Sequence, residues 1–164
     1  MKQVTMNICT INELDDSAKE YAHEQWRANG EYHWIDESID TVREFLSLFG
    51  LSLTDYSLSP YAYSYLKCEE ITQEHIRGFR LKDLPETLTG YYLECSMLET
   101  FKKVVREDGD IKWAIQCVLE EATQDIIKDM EWQDSMDYFI ELCEANDWGF
   151  YESGEFYGTY SDAA

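Results

Sequence analysis

Positive charge is what this chain has least of. Its 164 residues carry 13 Lys and Arg against 34 Asp and Glu, a formal net charge of −21 at pH 7. That balance argues against DNA, RNA and anionic membranes as direct ligands, since a polyanion would be repelled over most of the surface. No apolar run approaches the ~20 residues that a membrane-spanning helix needs. The opening stretch Met1 to Cys9 is too short, alternating and polar for a signal peptide. Together these absences predict a protein of the cytoplasm. The five cysteines, Cys9, Cys68, Cys95, Cys117 and Cys143, are odd in number and show no paired spacing. They read as reduced thiols that pack as small hydrophobes.

Catalytic signatures are missing as well. His23-Glu24 begins a zinc-protease pattern on a predicted helix, but Arg27 stands where the second histidine belongs. No cysteine pair has zinc spacing, and His33, His75, Cys68 and Cys95 form no recognisable ligand set. Asp108-Gly109-Asp110 is too short for a calcium loop, which needs oxygen ligands at alternate positions closed by a glutamate. There is no Gly-rich phosphate loop and no nucleophile elbow. With 34 acids, neighbouring carboxylates single out no acid–base dyad. The expectation is a protein that is not an enzyme and needs no metal or cofactor; a metal-dependent enzyme using clustered carboxylates is the alternative.

What is present is a folded chain. Apolar residues make up 45% and aromatic residues 15%, which argues against disorder despite the charge, and the length fits one domain spanning residues 1–164. Gln3 to Cys9 alternates, with Val4, Met6 and Ile8 on one side, and reads as a strand with one buried face. Helical spacing predicts helices over about 16–28, 34–49, 91–106, 110–130 and 132–145, with a short one near 72–79. Strands are expected over 51–59 and 61–65, and a terminal hairpin over 150–152 and 156–160. The fold class is therefore α+β, about five helices on a small antiparallel sheet drawn from both chain ends and the middle. Tyr61, Tyr63 and Tyr65 alternate on one predicted strand, either as a stacking platform or, as the balance favours, as rings covering helices. Lys67, Arg77, Arg80 and Lys82 form a modest basic cluster that reads as neutralisation of nearby acids.

The charge is unevenly placed. Residues 1–58 net −7, residues 59–106 net zero, and residues 107–147 alone net −11. In that last segment the apolar residues keep helical spacing, so the acids lie on the outer faces of two consecutive helices. Asp134, Asp137, Glu141 and Glu144 step by 3, 4 and 3 residues, which predicts one stripe on the last helix. Glu120, Glu121, Asp125 and Asp129 give a second stripe, and Asp36, Glu37, Asp40 and Glu44 a third on an N-terminal helix. Steps of three or four residues advance about 4.5 to 6 Å along the axis. One DNA strand offers a charge per ~3.4 Å, so a single stripe is sparser than a strand and several side by side approach a duplex.

The segments Asn12-Glu13-Leu14-Asp15-Asp16-Ser17-Ala18-Lys19, Ala22 through Trp26-Arg27 and Tyr32-His33-Trp34-Ile35-Asp36-Glu37-Ser38 belong together with Ala145-Asn146-Asp147-Trp148-Gly149-Phe150 near the end. Over roughly its first 50 and last 20 residues the chain resembles small acidic bacteriophage and prophage accessory proteins, some labelled antitoxin-like. The resemblance implies a phage accessory gene acting in the bacterial cytoplasm, a setting where acidic DNA-mimicking inhibitors of restriction or CRISPR systems are common. It carries over no functional residue.

Two expectations follow. The first is an acidic inhibitor that binds a basic, nucleic-acid-binding defence protein by mimicry, through Asp125, Asp129, Asp134, Asp137, Glu141 and Glu144, then Glu120, Glu121, Asp36, Glu37, Asp40 and Glu44. The second is an antitoxin or immunity-type protein that neutralises a basic toxin, with hydrophobic anchors mattering more than total charge. Neither fixes the oligomeric state, and a homodimer is compatible with both.

Overall fold

The computed structural model describes residues 1–163, and these form six α-helices and five strands in two small antiparallel sheets, an α+β fold as the sequence predicts. In chain order come β1 (Ile8–Thr10), α1 (Asp16–Asn29), α2 (Ile35–Ser47), β2 (Leu53–Ser57), β3 (Tyr65–Cys68) and the single turn α3 (Gln73–Ile76). There follow α4 (Leu93–Asp108), α5 (Ile111–Gln133), α6 (Met136–Ala145), β4 (Trp148–Tyr151) and β5 (Phe156–Thr159). The chain makes two compact units, Met1–Tyr32 with the chain from Glu131 onward, and His33–Met130.

In the first unit β4 is the central strand of a three-stranded sheet, with β1 on one side and β5 on the other. Ile8 pairs with Tyr151, Cys9 with Phe150 and Thr10 with Gly149. Asp15 starts α1 by accepting a hydrogen bond from the Ala18 amide at 2.8 Å, and Ser135 starts α6 by accepting from the Tyr138 amide at 3.1 Å. Both helices turn their apolar faces inward, so that Ile11, Leu14, Ala18, Ala22, Phe139, Cys143 and Phe150 form one core. Each large side chain buried there contributes about 1.5–3 kcal/mol. Burial pushes the Cys143 thiol up to about 12, which leaves it a packing group. The tip of the β4–β5 hairpin lies on α1 at Gly154, where φ is +93° and an added Cβ would fall 2.2 Å from the Ala18 carbonyl oxygen. Only glycine fits that approach.

The second unit packs α2, α4 and α5 around Val42, Phe45, Leu93, Met97, Phe101, Ile115, Val118 and Ile126, all at most 2% exposed. Phe45, Phe49, Phe79 and Phe101 join in one aromatic group; Phe49 and Phe79 have ring centroids 4.5 Å apart and Phe45 and Phe101 5.8 Å. Gly109 ends α4 in the left-handed conformation, φ 67°, and its amide donates to the Val105 carbonyl at 2.9 Å. Asp110 then opens α5 by accepting from the Trp113 amide at 3.0 Å. The buried Glu94 on α4 accepts from three consecutive amides, those of Leu88, Thr89 and Gly90, at 2.7, 2.9 and 2.9 Å. One carboxylate thereby shapes the whole entry to α4.

Three expectations are corrected. The first strand begins at Ile8, not Gln3, and Val4 and Met6 are 75% and 64% exposed. The four-residue β4 runs out at Tyr151, and among the described residues no strand pairs with the chain before Ile8. The strands of the middle do not join those of the ends: β2 and β3 pair only with each other, as a local hairpin with a bulge between Leu53 and Asp55. Tyr61 and Tyr63 do not sit on a strand either. The Ser64 hydroxyl accepts from the Ser59 amide at 2.9 Å and donates to the Ser59 carbonyl at 2.8 Å, which closes a loop ahead of β3. Tyr61 and Tyr63 are 69% and 84% exposed, and the ring of Tyr63 lies beside that of Tyr65.

Candidate acidic interface

The second unit displays acids on two helices. On α2 the apolar face of Ile39, Val42, Phe45 and Leu46 is buried, and Asp36, Glu37, Asp40 and Glu44 stand exposed on the other side. Asp36, Asp40 and Glu44 follow one another at steps of four, about 6 Å apart along the axis. Asp36 and Glu37 lie in the first turn, where the amide dipoles favour negative charge. Arg43 approaches Asp40 at 3.5 Å, with both side chains more than half exposed, a pairing worth little in water.

On α5 the expected stripe divides. Glu121, Asp125 and Asp129 run at steps of four and are half-buried, whereas Glu120 is exposed and lies about 100° round the helix, lining a cleft with Tyr63 and Tyr65. Glu37 of α2 and Asp129 of α5 act electrostatically on Tyr91, and Asp129 and Asp125 act on Tyr92, both tyrosines standing at the start of α4. Those two rings lie 4.7 Å apart. Burial pushes the Tyr91 hydroxyl up from its ordinary range, with Asp129 and Glu37 adding to it and hydrogen bonds to Ser38 and Tyr92 opposing. Burial also raises Tyr92, further, with the charges of Asp129 and Asp125 reinforcing it. Tyr91 thus feels carboxylates from two helices and Tyr92 from one.

In the first unit the expected four-acid stripe on the last helix loses its first member. α5 continues through Gln133, and Asp134 falls in the break before Ser135 caps α6. Its side chain is 20% exposed and engaged: the Tyr32 hydroxyl donates to Oδ2 at 2.6 Å, and Arg27 Nε lies 3.9 Å from Oδ1. His23 Nε2 faces the Asp134 carbonyl at 2.7 Å, which calls for the proton on that nitrogen. Asp134 therefore joins α1 to the start of α6. Asp137, Glu141 and Glu144 remain exposed on α6, and Glu144 accepts from the Asn12 side chain at 2.6 Å.

Some of what lies here was not legible in advance. The Tyr91–Tyr92 dipeptide marks the start of a helix and gives no hint that two acidic helices converge on it. The first unit also contains an aromatic cavity of about 310 Å³ walled by Trp26, Phe139, Trp148, Phe150 and Phe156. Lys67, Arg77, Arg80 and Lys82 are all exposed. Among the described residues no group of three His, Cys, Asp or Glu side chains is placed to hold a metal ion, and no helix is long and apolar enough to cross a membrane. No family model, no curated protein and no solved structure matches the chain.

Proposed function

We propose that this protein is an acidic inhibitor, acting without catalysis in the bacterial cytoplasm, that occupies the nucleic-acid groove of a basic defence protein of the CRISPR or restriction type. Its carboxylates stand where phosphates would. The observation that carries the reading is the presence, within one unit, of two helical rows of acids, Asp36, Glu37, Asp40 and Glu44 on α2 and Glu121, Asp125 and Asp129 on α5, with Glu37 and Asp129 both acting on Tyr91 and with Asp125 and Asp129 acting on Tyr92. Each row alone is sparser than a DNA strand, and under this reading the two rows together would make up the shortfall. Opposite charge would speed encounter and make binding fall with salt. Tagged protein should recover nucleic-acid-binding proteins from a bacterial lysate at low salt, and short duplex DNA or RNA should displace them. A recovered set without such proteins, or one indifferent to duplex competitor, would sink the reading.

One observation favours a second reading, an immunity-type neutraliser of a basic toxin. Trp34 and Tyr92 are 58% and 53% exposed in the same unit as those carboxylates, and exposed aromatics of this size are the usual anchors of protein interfaces. Under that reading Trp34→Ala and Tyr92→Ala lower affinity for the partner more than charge neutralisation of α2 does. Under mimicry the order reverses.

A further inference from the structure

The second unit holds a cleft of about 320 Å³ between the loop leading into β3 and the helix α5. Its floor is apolar, made by the buried Leu66 and Leu119. One wall is the ring pair Tyr63 and Tyr65, with centroids 5.8 Å apart and planes tilted by 35°. The facing wall is α5, which presents Gln116, Glu120 and Gln124 at successive steps of four, all exposed. Thr123 also lines the cleft, but its hydroxyl donates to the Leu119 carbonyl at 2.7 Å and is taken up within the helix.

Two features of these rings ask for a ligand. Tyr63 is 84% exposed, a large flat surface that the fold leaves open to water. The Tyr65 hydroxyl donates to Asp55 Oδ2 at 2.8 Å, which fixes the ring and, by drawing its proton toward a carboxylate, leaves the ring face richer in electrons. The same hydrogen bond is the main reason the Tyr65 hydroxyl titrates above its ordinary range. Electron-rich faces, a carboxylate between two side-chain amides and an apolar floor together suit a flat cation on an aliphatic stem. None of the described lining residues is itself a cation.

We propose that this cleft anchors an arginine side chain of the basic partner protein, its guanidinium lying on Tyr63 and Tyr65, its edge reaching the Glu120 carboxylate, and its methylenes over Leu66 and Leu119. This rests on reading the acidic unit as the docking face for a basic protein, and names the residue that face selects. Arginine suits the cleft better than lysine. A guanidinium is planar, stacks on rings, is weakly hydrated and carries five donors, enough for Glu120 and the Gln116 and Gln124 carbonyls together. An ammonium is a compact, strongly hydrated point charge that gains little from a flat wall.

The test uses the full chain and two capped, fluorescently labelled peptides of equal charge, octa-arginine and octa-lysine, followed by anisotropy. The unaltered protein should bind octa-arginine about ten-fold more tightly than octa-lysine. Tyr63→Ala and Glu120→Gln should each remove most of that preference and change octa-lysine binding by less than about two-fold. Glu44→Gln, on α2 and not among the cleft residues, should weaken both peptides alike and keep the preference. Tyr63 lies in an exposed loop, so its removal leaves the fold intact, as an unchanged melting curve will verify. Equal binding of the two peptides, or a preference that survives both cleft variants, overturns the arginine site while leaving the acidic docking face in place. If neither peptide binds, the docking face fails together with the cleft.

Discussion

The two units carry their acids differently. The first has 15 acids and 3 bases, the second 19 acids and 10 bases, so the first is the more one-sided. Yet the first commits many of its carboxylates to its own construction. Glu13 accepts from the Thr10 amide at 2.7 Å, Asp15 opens α1, Asp134 holds Tyr32, Glu144 holds Asn12, Asp147 accepts from the Ser161 amide at 3.1 Å, and Glu152 accepts from Asn7 at 2.8 Å. The second does the same with Asp55, Glu69, Asp83, Glu94 and Asp110, and sets out seven of its other acids in rows on α2 and α5. Net charge therefore overstates what either unit offers a partner, and what sets the second apart is that its remaining acids include two helical rows. A carboxylate that accepts from a neighbouring amide or hydroxyl is already partly compensated, and using it elsewhere means breaking that bond.

Substitutions that touch construction should be the most damaging. Gly154→Ala places a methyl 2.2 Å from the Ala18 carbonyl oxygen at a left-handed φ, so the hairpin tip must lift off α1. A loss of about 3–5 kcal/mol is expected, read as a fall in the urea midpoint. Glu94→Ala strands the amides of Leu88, Thr89 and Gly90 in a half-buried loop and should cost about 2–4 kcal/mol in the same measurement. Asp134 and Glu141 then separate the two uses of an acid within the first unit. Asp134→Ala removes the acceptor for Tyr32 and should cost about 1–2 kcal/mol, whereas Glu141→Ala, exposed on α6, should stay within about 0.5 kcal/mol. Equal effects from these two would erase the distinction between structural and displayed carboxylates.

How much of this was readable in advance follows from the range of each signal. Helix positions are local, set by apolar spacing and by stops such as Gly109, and α1, α2, α4 and α5 fall within a few residues of expectation. The acids' outward orientation on α2 follows from the same periodicity. What a period cannot encode is the partner across space. Val4 and Met6 alternate as a strand would, but no strand reaches them. Asp134 continues the spacing of the α6 acids, but Ser135 caps the helix one residue later and turns Asp134 inward to Tyr32. Tyr61, Tyr63 and Tyr65 alternate, but the Ser59–Ser64 hydrogen bonds make the first two a loop. In each case the pattern was real, and a single capping or pairing event outside its window decided the outcome. That Glu37 and Asp129 both act on Tyr91, and Asp125 and Asp129 on Tyr92, depends on how three helices pack, which no local window contains.

The smallest effect on stability is expected where the effect on binding should be largest. Neutralising α2 with Asp36→Asn, Glu37→Gln, Asp40→Asn and Glu44→Gln removes like-charge pairs at steps of four, which relieves a few tenths of a kcal/mol for each. The same change withdraws Asp36 and Glu37 from the first turn, where each is favoured by about 0.3–1 kcal/mol, and ends the weak Asp40–Arg43 contact. The opposing contributions should leave the unfolding free energy within about 0.5 kcal/mol of the parent. Against a recovered nucleic-acid-binding partner, the quadruple variant should bind more weakly and with a shallower dependence on salt, because fewer charges are matched across the interface. Neutralising Asp137 and Glu141 on α6 in the first unit gives the matching control, and mimicry centred on α2 and α5 requires it to change affinity less. A control that weakens binding as much as the α2 variant would move the interface to the first unit, and the comparison between the two would have to be inverted.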